Sequence, residues 1–177
     1  MQRDSSNGAA APLVLVTVGT DAFPFERLIE WVDSWLAQGA DERVRCIVQH
    51  GAARPAKHAD SRTFLDFPEF EQLVAEADVI VTHGGPGTIV LCADHEKKPI
   101  VVPRLPEHGE VVDRHQVPFT RRLDAEGNVA LAESEHELHS MLDRCLAEPA
   151  LARVVRNGDR GSAAALRFEE LVGELFA

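Results

Sequence analysis

The chain has 177 residues, 45% of them hydrophobic, and carries 18 Lys and Arg against 29 Asp and Glu, for a net charge of -11 and a pI of about 5.1. That length suits one domain with a substantial core, and so acidic a field repels phosphate backbones and anionic headgroups, which excludes charge-driven binding to nucleic acid. Cys46, Cys92 and Cys145 are odd in number, widely spaced and set in apolar or helical contexts, a pattern of buried reduced thiols that points to the cytoplasm.

Residues 1–11, MQRDSSNGAAA, have neither a cationic start nor an apolar run and read as a flexible leader before a domain over 12–177. No stretch approaches the roughly 18 apolar residues a spanning helix needs. Short apolar runs then alternate with segments of helical period. Strands are expected at Leu13–Val18, Val44–Gln49, Thr63–Phe67, Val79–Thr82, Ile100–Pro103 and Val129–Leu131. Between the first two, Phe25, Leu28, Ile29, Val32, Trp35 and Leu36 form one helical stripe that Gly39 stops. A capping box at Ser134 and Glu137 opens a helix with Leu138, Met141, Leu142 and Cys145 inward, and Pro149 follows its end. Ala164, Phe168, Leu171, Val172 and Leu175 mark a last helix. The alternation predicts an α/β fold, a doubly wound parallel sheet of Rossmann-like type.

In such a sheet, ligands bind where the loops converge beyond the carboxyl ends of the strands. The polar, glycine-rich loops here are VGTDAF after the first strand, THGGPGT after the fourth and PRLPEHGEVVDRHQ after the fifth. Helix starts follow the first two, so free N–H groups and the positive end of the helix dipole favour an anion. The dinucleotide pattern G-x-G-x-x-G is missing after the first strand, and no P-loop occurs. The His-Gly-Gly run lacks the G-x-S-x-G elbow of a serine hydrolase. His108, Glu110, Asp113 and His115 are crowded together, but their spacing matches no known metal site, and His136 and His139 read as an exposed helix face. No metal is expected.

Taken in order, VTVGTDAF, ADVIVTHGGPGT, KKPIVVPR and GEVVDRHQ resemble the C-terminal half of family 28 glycosyltransferases. Within that group the chain is similar to single-domain subunits related to the catalytic subunit of the dolichol-linked GlcNAc transferase and to bacterial exopolysaccharide transferase subunits. The resemblance implies the C-terminal half of a GT-B hexosyltransferase. Such a lobe binds a nucleotide-sugar donor, usually a UDP-sugar, as substrate rather than cofactor. A separate membrane-anchored subunit supplies the acceptor site and the catalytic base. The sugar passes with inversion to a lipid-linked or polysaccharide acceptor, the lobe is active only with its partner, and it sits in the cytoplasm, peripheral to the inner face of the membrane through that partner.

Carried over by position, the resemblance gives His83, Gly84, Gly85, Gly87 and Thr88 to the donor phosphates, with Gly19 and Thr20 on the opposite wall. Gln116 faces the sugar hydroxyls beside Glu110, Asp113 and His115, and backbone near Phe67 meets the base. Relatives carry a ribose-binding glutamate eight residues after the histidine; this chain has Leu91 there, with Asp94 one turn on as a substitute. The alternative reading is a noncatalytic nucleotide-sugar-binding or regulatory module whose missing acid reflects lost turnover.

Overall fold

The computed structural model describes residues 10 to 154. Most of the expected leader and the expected last helix at 164–175 lie outside the described residues. Six strands form one parallel sheet: β1 (Leu13–Thr17), β2 (Arg45–Gln49), β3 (Asp60–Arg62), β4 (Val79–Thr82), β5 (Ile100–Val101) and β6 (Ala130–Leu131), in the order β3-β2-β1-β4-β5-β6. The helices are α1 (Glu26–Trp35), α2 (Phe67–Glu76), α3 (Pro86–Asp94), α4 (Gln116–Ala125) and α5 (Glu135–Ala147). This is the expected doubly wound α/β fold.

The central strands are apolar along their whole length because helices cover both faces, so no residue of β1 or β4 is left to face water. On one face Val14 and Val16 pack against Phe25, Leu28, Ile29 and Val32 of the α1 stripe and against Leu138 and Leu142 of α5. Trp35 joins these helices, donating from Nε1 to Asp143 at 3.2 Å. On the other face Leu13, Leu15, Ile47 and Ile80 meet Leu73 and Val74 of α2 and Cys92 of α3, while Phe119 and Leu123 of α4 pack with Ile89 and Val101. Each large side chain so buried contributes about 1.5–3 kcal/mol.

The helix ends follow their sequence signals. Gly39 takes φ +94°, a left-handed conformation inside the wide turn Leu36–Ala40 that closes α1. Ser134 Oγ accepts from Glu137 N while the Glu137 carboxylate accepts from Ser134 N, the reciprocal cap expected at α5. All three described cysteines are free and buried, and burial pushes the Cys46 and Cys92 thiols up to about 12.

One strand is displaced. Thr63–Phe67 was the expected third strand, but the ladder instead uses Asp60–Arg62, with Ile47, Val48 and Gln49 opposite Asp60, Ser61 and Arg62. An edge strand needs no apolar face, so the polar DSR reads as loop in sequence. Conversely, Asp66 is a helix cap: its side chain accepts from Glu69 N at 3.0 Å, and Pro68 sits in the first turn of α2. Phe67 therefore begins a helix rather than ending a strand. Phe64 and Leu65 fall in the short connection between them, above the carboxyl ends of the strands.

Candidate functional site

The floor of the site comes from register. Gln49, Thr17 and Thr82 are partners on β2, β1 and β4, so their side chains form one polar row at the carboxyl edge of the sheet, all 4% exposed or less. Thr17 Oγ1 accepts from Gly19 N at 3.2 Å and shapes the turn after β1. Above this row lies a crevice of about 370 Å³, lined by Thr17, Gly19, Thr20, Gln49 and Leu65, by the aromatic rings of Phe64, Phe67 and Phe70, and by His83, Gly85, Pro86, Gly87 and Thr88.

At one end the His83 imidazole is held between two glycines. Gly19 has φ +80°, and a side-chain carbon there would stand 2.5 Å from His83 Cε1; one on Gly85 would overlap the ring. Only glycine fits either position. Burial, and then the charge of Arg104, push the His83 pKa down to about 4, against the opposing pull of Asp21 and the Thr17 carbonyl. The ring is thus neutral at pH 7 and lines the crevice, and in the tautomer that leaves its one N–H free it can donate to an anion without itself carrying charge. Gly85 caps α3 and Pro86 opens it, which leaves the Gly87 and Thr88 N–H groups of the first turn pointing out of the helix start. The positive end of the α3 dipole lies at the same place.

Arg104 fastens the neighbouring loops together. It is 1% exposed and donates to three carbonyls, Phe23 O at 2.7 Å, Glu110 O at 2.8 Å and Val18 O at 2.5 Å, while its guanidinium stacks 5.0 Å from the Phe25 ring centre. Its Nε is buried without a partner. Among the described residues no carboxylate bonds it directly: Glu110 is taken by Arg27 in a two-point pair at 2.8 and 2.9 Å and also accepts from Leu105 N. One buried cation therefore ties the loop after β1 to the loop after β5, and burial holds its pKa below the usual guanidinium range.

The opposite end is apolar and open. Phe64 and Phe67 are 65% and 64% exposed and, with Phe70, line the crevice. Such rings at the mouth of a polar-floored crevice suit a flat, stackable ligand group.

The structure brings Gly19, Thr20, His83, Gly85, Gly87, Thr88 and Phe67 around this crevice. Gly84 stands just behind, its backbone against the Gln116 side chain at the start of α4. Gln116 is buried, its Oε1 accepting from Arg104 N at 3.2 Å and its amide nitrogen without a partner among the described residues. The other expected residues stand apart. Glu110 is turned inward onto Arg27, and Asp113 and His115 are exposed and bonded to one another, the His115 N–H groups holding the Asp113 carboxyl below its usual range. Leu91 packs against the core cluster of Leu65 and Leu73, because its position on α3 faces α2 rather than the crevice, and Asp94 is exposed beyond it. Gln49, Phe64 and Arg104 were not anticipated. Arg104 alone left a trace in sequence, a charge directly after the buried run Ile100–Val102.

A family model, the glycosyltransferase family 28 C-terminal domain, matches residues 13–166. No curated protein matches at a significant level. Among solved structures, the chain is similar to the calicheamicin glycosyltransferase CalG4 (18% identity, TM-score 0.60), over 93% of this chain and 44% of that one. It is similar also to MurG of Acinetobacter baumannii (21% identity, TM-score 0.56), over 81% and 44%. A third, the molybdenum cofactor carrier protein of Chlamydomonas reinhardtii, matches at 17% identity and TM-score 0.52 over 78% of this chain and 100% of that one. These likenesses establish the fold. The chain spans less than half the length of the two glycosyltransferases it resembles. With the family model covering most of its length, the chain belongs to the glycosyltransferase family 28 C-terminal domain family.

Proposed function

We propose that the chain is the donor-binding lobe of a hexosyltransferase: it holds a nucleotide-sugar, a UDP-sugar by preference, and transfers the sugar together with a membrane-anchored partner that brings a lipid-linked or polysaccharide acceptor. The observation that carries this reading is the polarity of the crevice, with His83 and the α3 start at one end and the rings of Phe64, Phe67 and Phe70 at the other. A nucleoside diphosphate has the same polarity, anionic at one end and flat at the other.

In this reading the neutral His83 and the Gly87 and Thr88 N–H groups donate to the diphosphate oxygens. As the bond from sugar to phosphate breaks, negative charge grows on the leaving diphosphate, and fixed donors with the helix dipole stabilise it there without reorganising. Gln116 turns its free amide nitrogen to the sugar hydroxyls, while Asp113 and His115 stand on the open rim toward the partner. Ribose contacts fall to crevice residues rather than to Leu91, whose side chain is engaged in the core. Among the described residues lining the crevice His83 alone is titratable, and its depressed pKa makes it a poor base near neutrality. The base that deprotonates the acceptor then comes from the partner, and the chemistry requires no metal.

Calorimetry of the chain with UDP, UDP-GlcNAc, UDP-glucose, UDP-galactose and UDP-glucuronate tests this directly. Binding to at least one is expected, with transfer appearing only when the partner subunit is present. Failure of all five, partner included, overturns the proposal. Binding without transfer in that mixture would instead favour a noncatalytic nucleotide-sugar-binding or regulatory module.

A further inference from the structure

The buried polar side chains of this lobe form a nearly closed account, with one exception. Among the described residues that are buried and polar, Thr17, Asp33, His50, Thr82, Lys97, Arg104, Glu110, Gln116 and Thr120 each make a hydrogen bond to a neighbour, as in His50 Nδ1 to Ala53 O at 2.7 Å or Asp33 with Arg54 at 2.7 Å. Gln49 does not. It is 4% exposed, lines the crevice, and has no hydrogen-bond partner for its carboxamide among the described residues. Neither amide atom is sealed in protein, since Arg104 Nε is the described side-chain atom that is both fully buried and unpaired. The Gln49 amide therefore meets open space, and the open space on its side of the residue is the crevice.

A carboxamide held at the end of an inner strand with its polar atoms on an open crevice has only water to bond, and a core residue of similar shape would serve the sheet as well. Position says what the amide is there to meet. Gln49 pairs with Arg62 in register, and the chains beyond run on together, with His50 N donating to Arg62 O and Gly51 N to Thr63 O. This brings Phe64 and Leu65 to the end of β2, two strands from the end of β4 that carries His83. A carboxamide presents a donor beside an acceptor in one plane. The complementary object on an aromatic floor is a ring edge with the same alternation.

We propose that Gln49 hydrogen-bonds the edge of the nucleobase: against the uracil of the proposed donor, the amide oxygen accepts from N3–H and the amide nitrogen donates to the adjacent carbonyl. The proposal rests on the donor-site reading above and adds a base-contacting residue to it.

The experiment is calorimetry of the full chain and its variants with UDP, TDP, GDP and inorganic pyrophosphate, each variant first checked for an unchanged melting transition. Wild type is expected to bind UDP and TDP alike and more tightly than inorganic pyrophosphate. Gln49→Met, similar in shape but without the amide, should weaken UDP and TDP about tenfold and leave pyrophosphate unchanged. Gln49→Glu accepts but cannot donate, so it should weaken UDP further while favouring guanine, which offers two adjacent N–H donors. If Gln49→Met fails to fold, Gln49→Asn keeps the amide but withdraws it by one methylene and should show the same selective loss. UDP affinity within twofold of wild type in both Met and Asn variants overturns the proposal, as does an equal loss for UDP and pyrophosphate. A wild type that binds none of the diphosphates removes the donor-site reading itself, which a selective failure at Gln49 would leave standing.

Discussion

The two ends of the crevice are built on opposite terms. Around His83 the protein has satisfied itself: two glycines make room for the ring, and Arg104 and its three carbonyls hold the adjoining loops. Around Phe64 and Phe67 it has left large apolar surface in water, about two thirds of each residue exposed. The first end is rigid before any ligand arrives, as anion sites that rely on fixed dipoles need to be. The second is completed by whatever covers the rings. Substitutions at the first end should therefore register in folding stability, and substitutions at the second in binding.

The strongest test of that division is Arg104→Met. Removing the guanidinium leaves three carbonyls without their donor in a buried place, and a loss of about 3–5 kcal/mol in unfolding free energy is expected by denaturant titration. A loss under 1 kcal/mol would mean that the loops hold themselves. Gly85→Ala comes next, because the new methyl overlaps the His83 ring and one of them must shift; overpacking of this kind costs about 1–3 kcal/mol. The companion change Gly87→Ala has open space around it and should cost under about 1 kcal/mol, so equal effects would discount the sandwich.

A smaller effect is expected from pH. His83 has a folded pKa of about 4 against 6.5 in its unperturbed state, so below 6.5 the unfolded chain takes up a proton that the folded chain refuses. The stability this group contributes is whole above pH 6.5 and is lost progressively as pH falls toward 4. Between pH 6.5 and 5 the loss amounts to about 1.6 kcal/mol. Comparing urea titrations at those two pH values in wild type and His83→Gln isolates it, and an unchanged difference in the variant would assign the dependence elsewhere. Smallest, and on the other side of the comparison, Phe64→Ser should leave stability within about 0.5 kcal/mol while weakening UDP by about 1 kcal/mol, a modest share of a base–aromatic stack. If it destabilises the fold instead, the aromatic end is as structural as the histidine end.

How far the sequence could be read follows the same physics. β1 and β4 were plain because a strand buried on both faces must be apolar throughout, and α5 was plain because its cap is written in two residues, Ser134 and Glu137. The third strand was misplaced because an edge strand can be as polar as Asp-Ser-Arg, while Asp66 before Phe-Pro-Glu is a helix start whose aromatic neighbours imitate a strand. In the site, the glycine turn announced itself, since His83 between Gly19 and Gly85 needs residues without side chains. Glu110 and Gln49 could not be read, because a carboxylate turned inward to an arginine 83 positions away and an amide left unpaired look in sequence like any other polar residue. Leu91 was assigned to the ribose by position along its helix, and only the three-dimensional packing shows it facing α2.

The Arg104 junction also fixes when the site can exist. Its carbonyl partners Phe23 and Val18 lie 81 and 86 residues earlier in the chain, and Glu110 six residues later. Closing loops of that length is slow and unrewarded until the last partner arrives. During synthesis the first loop is made early and waits, with β1 lacking its neighbour β4 until Thr82 has emerged, and the wall of the crevice cannot lock before Glu110 does. A nascent chain that ends short of Glu110 can thus hold β1 to β5 and still lack the junction that finishes its binding site.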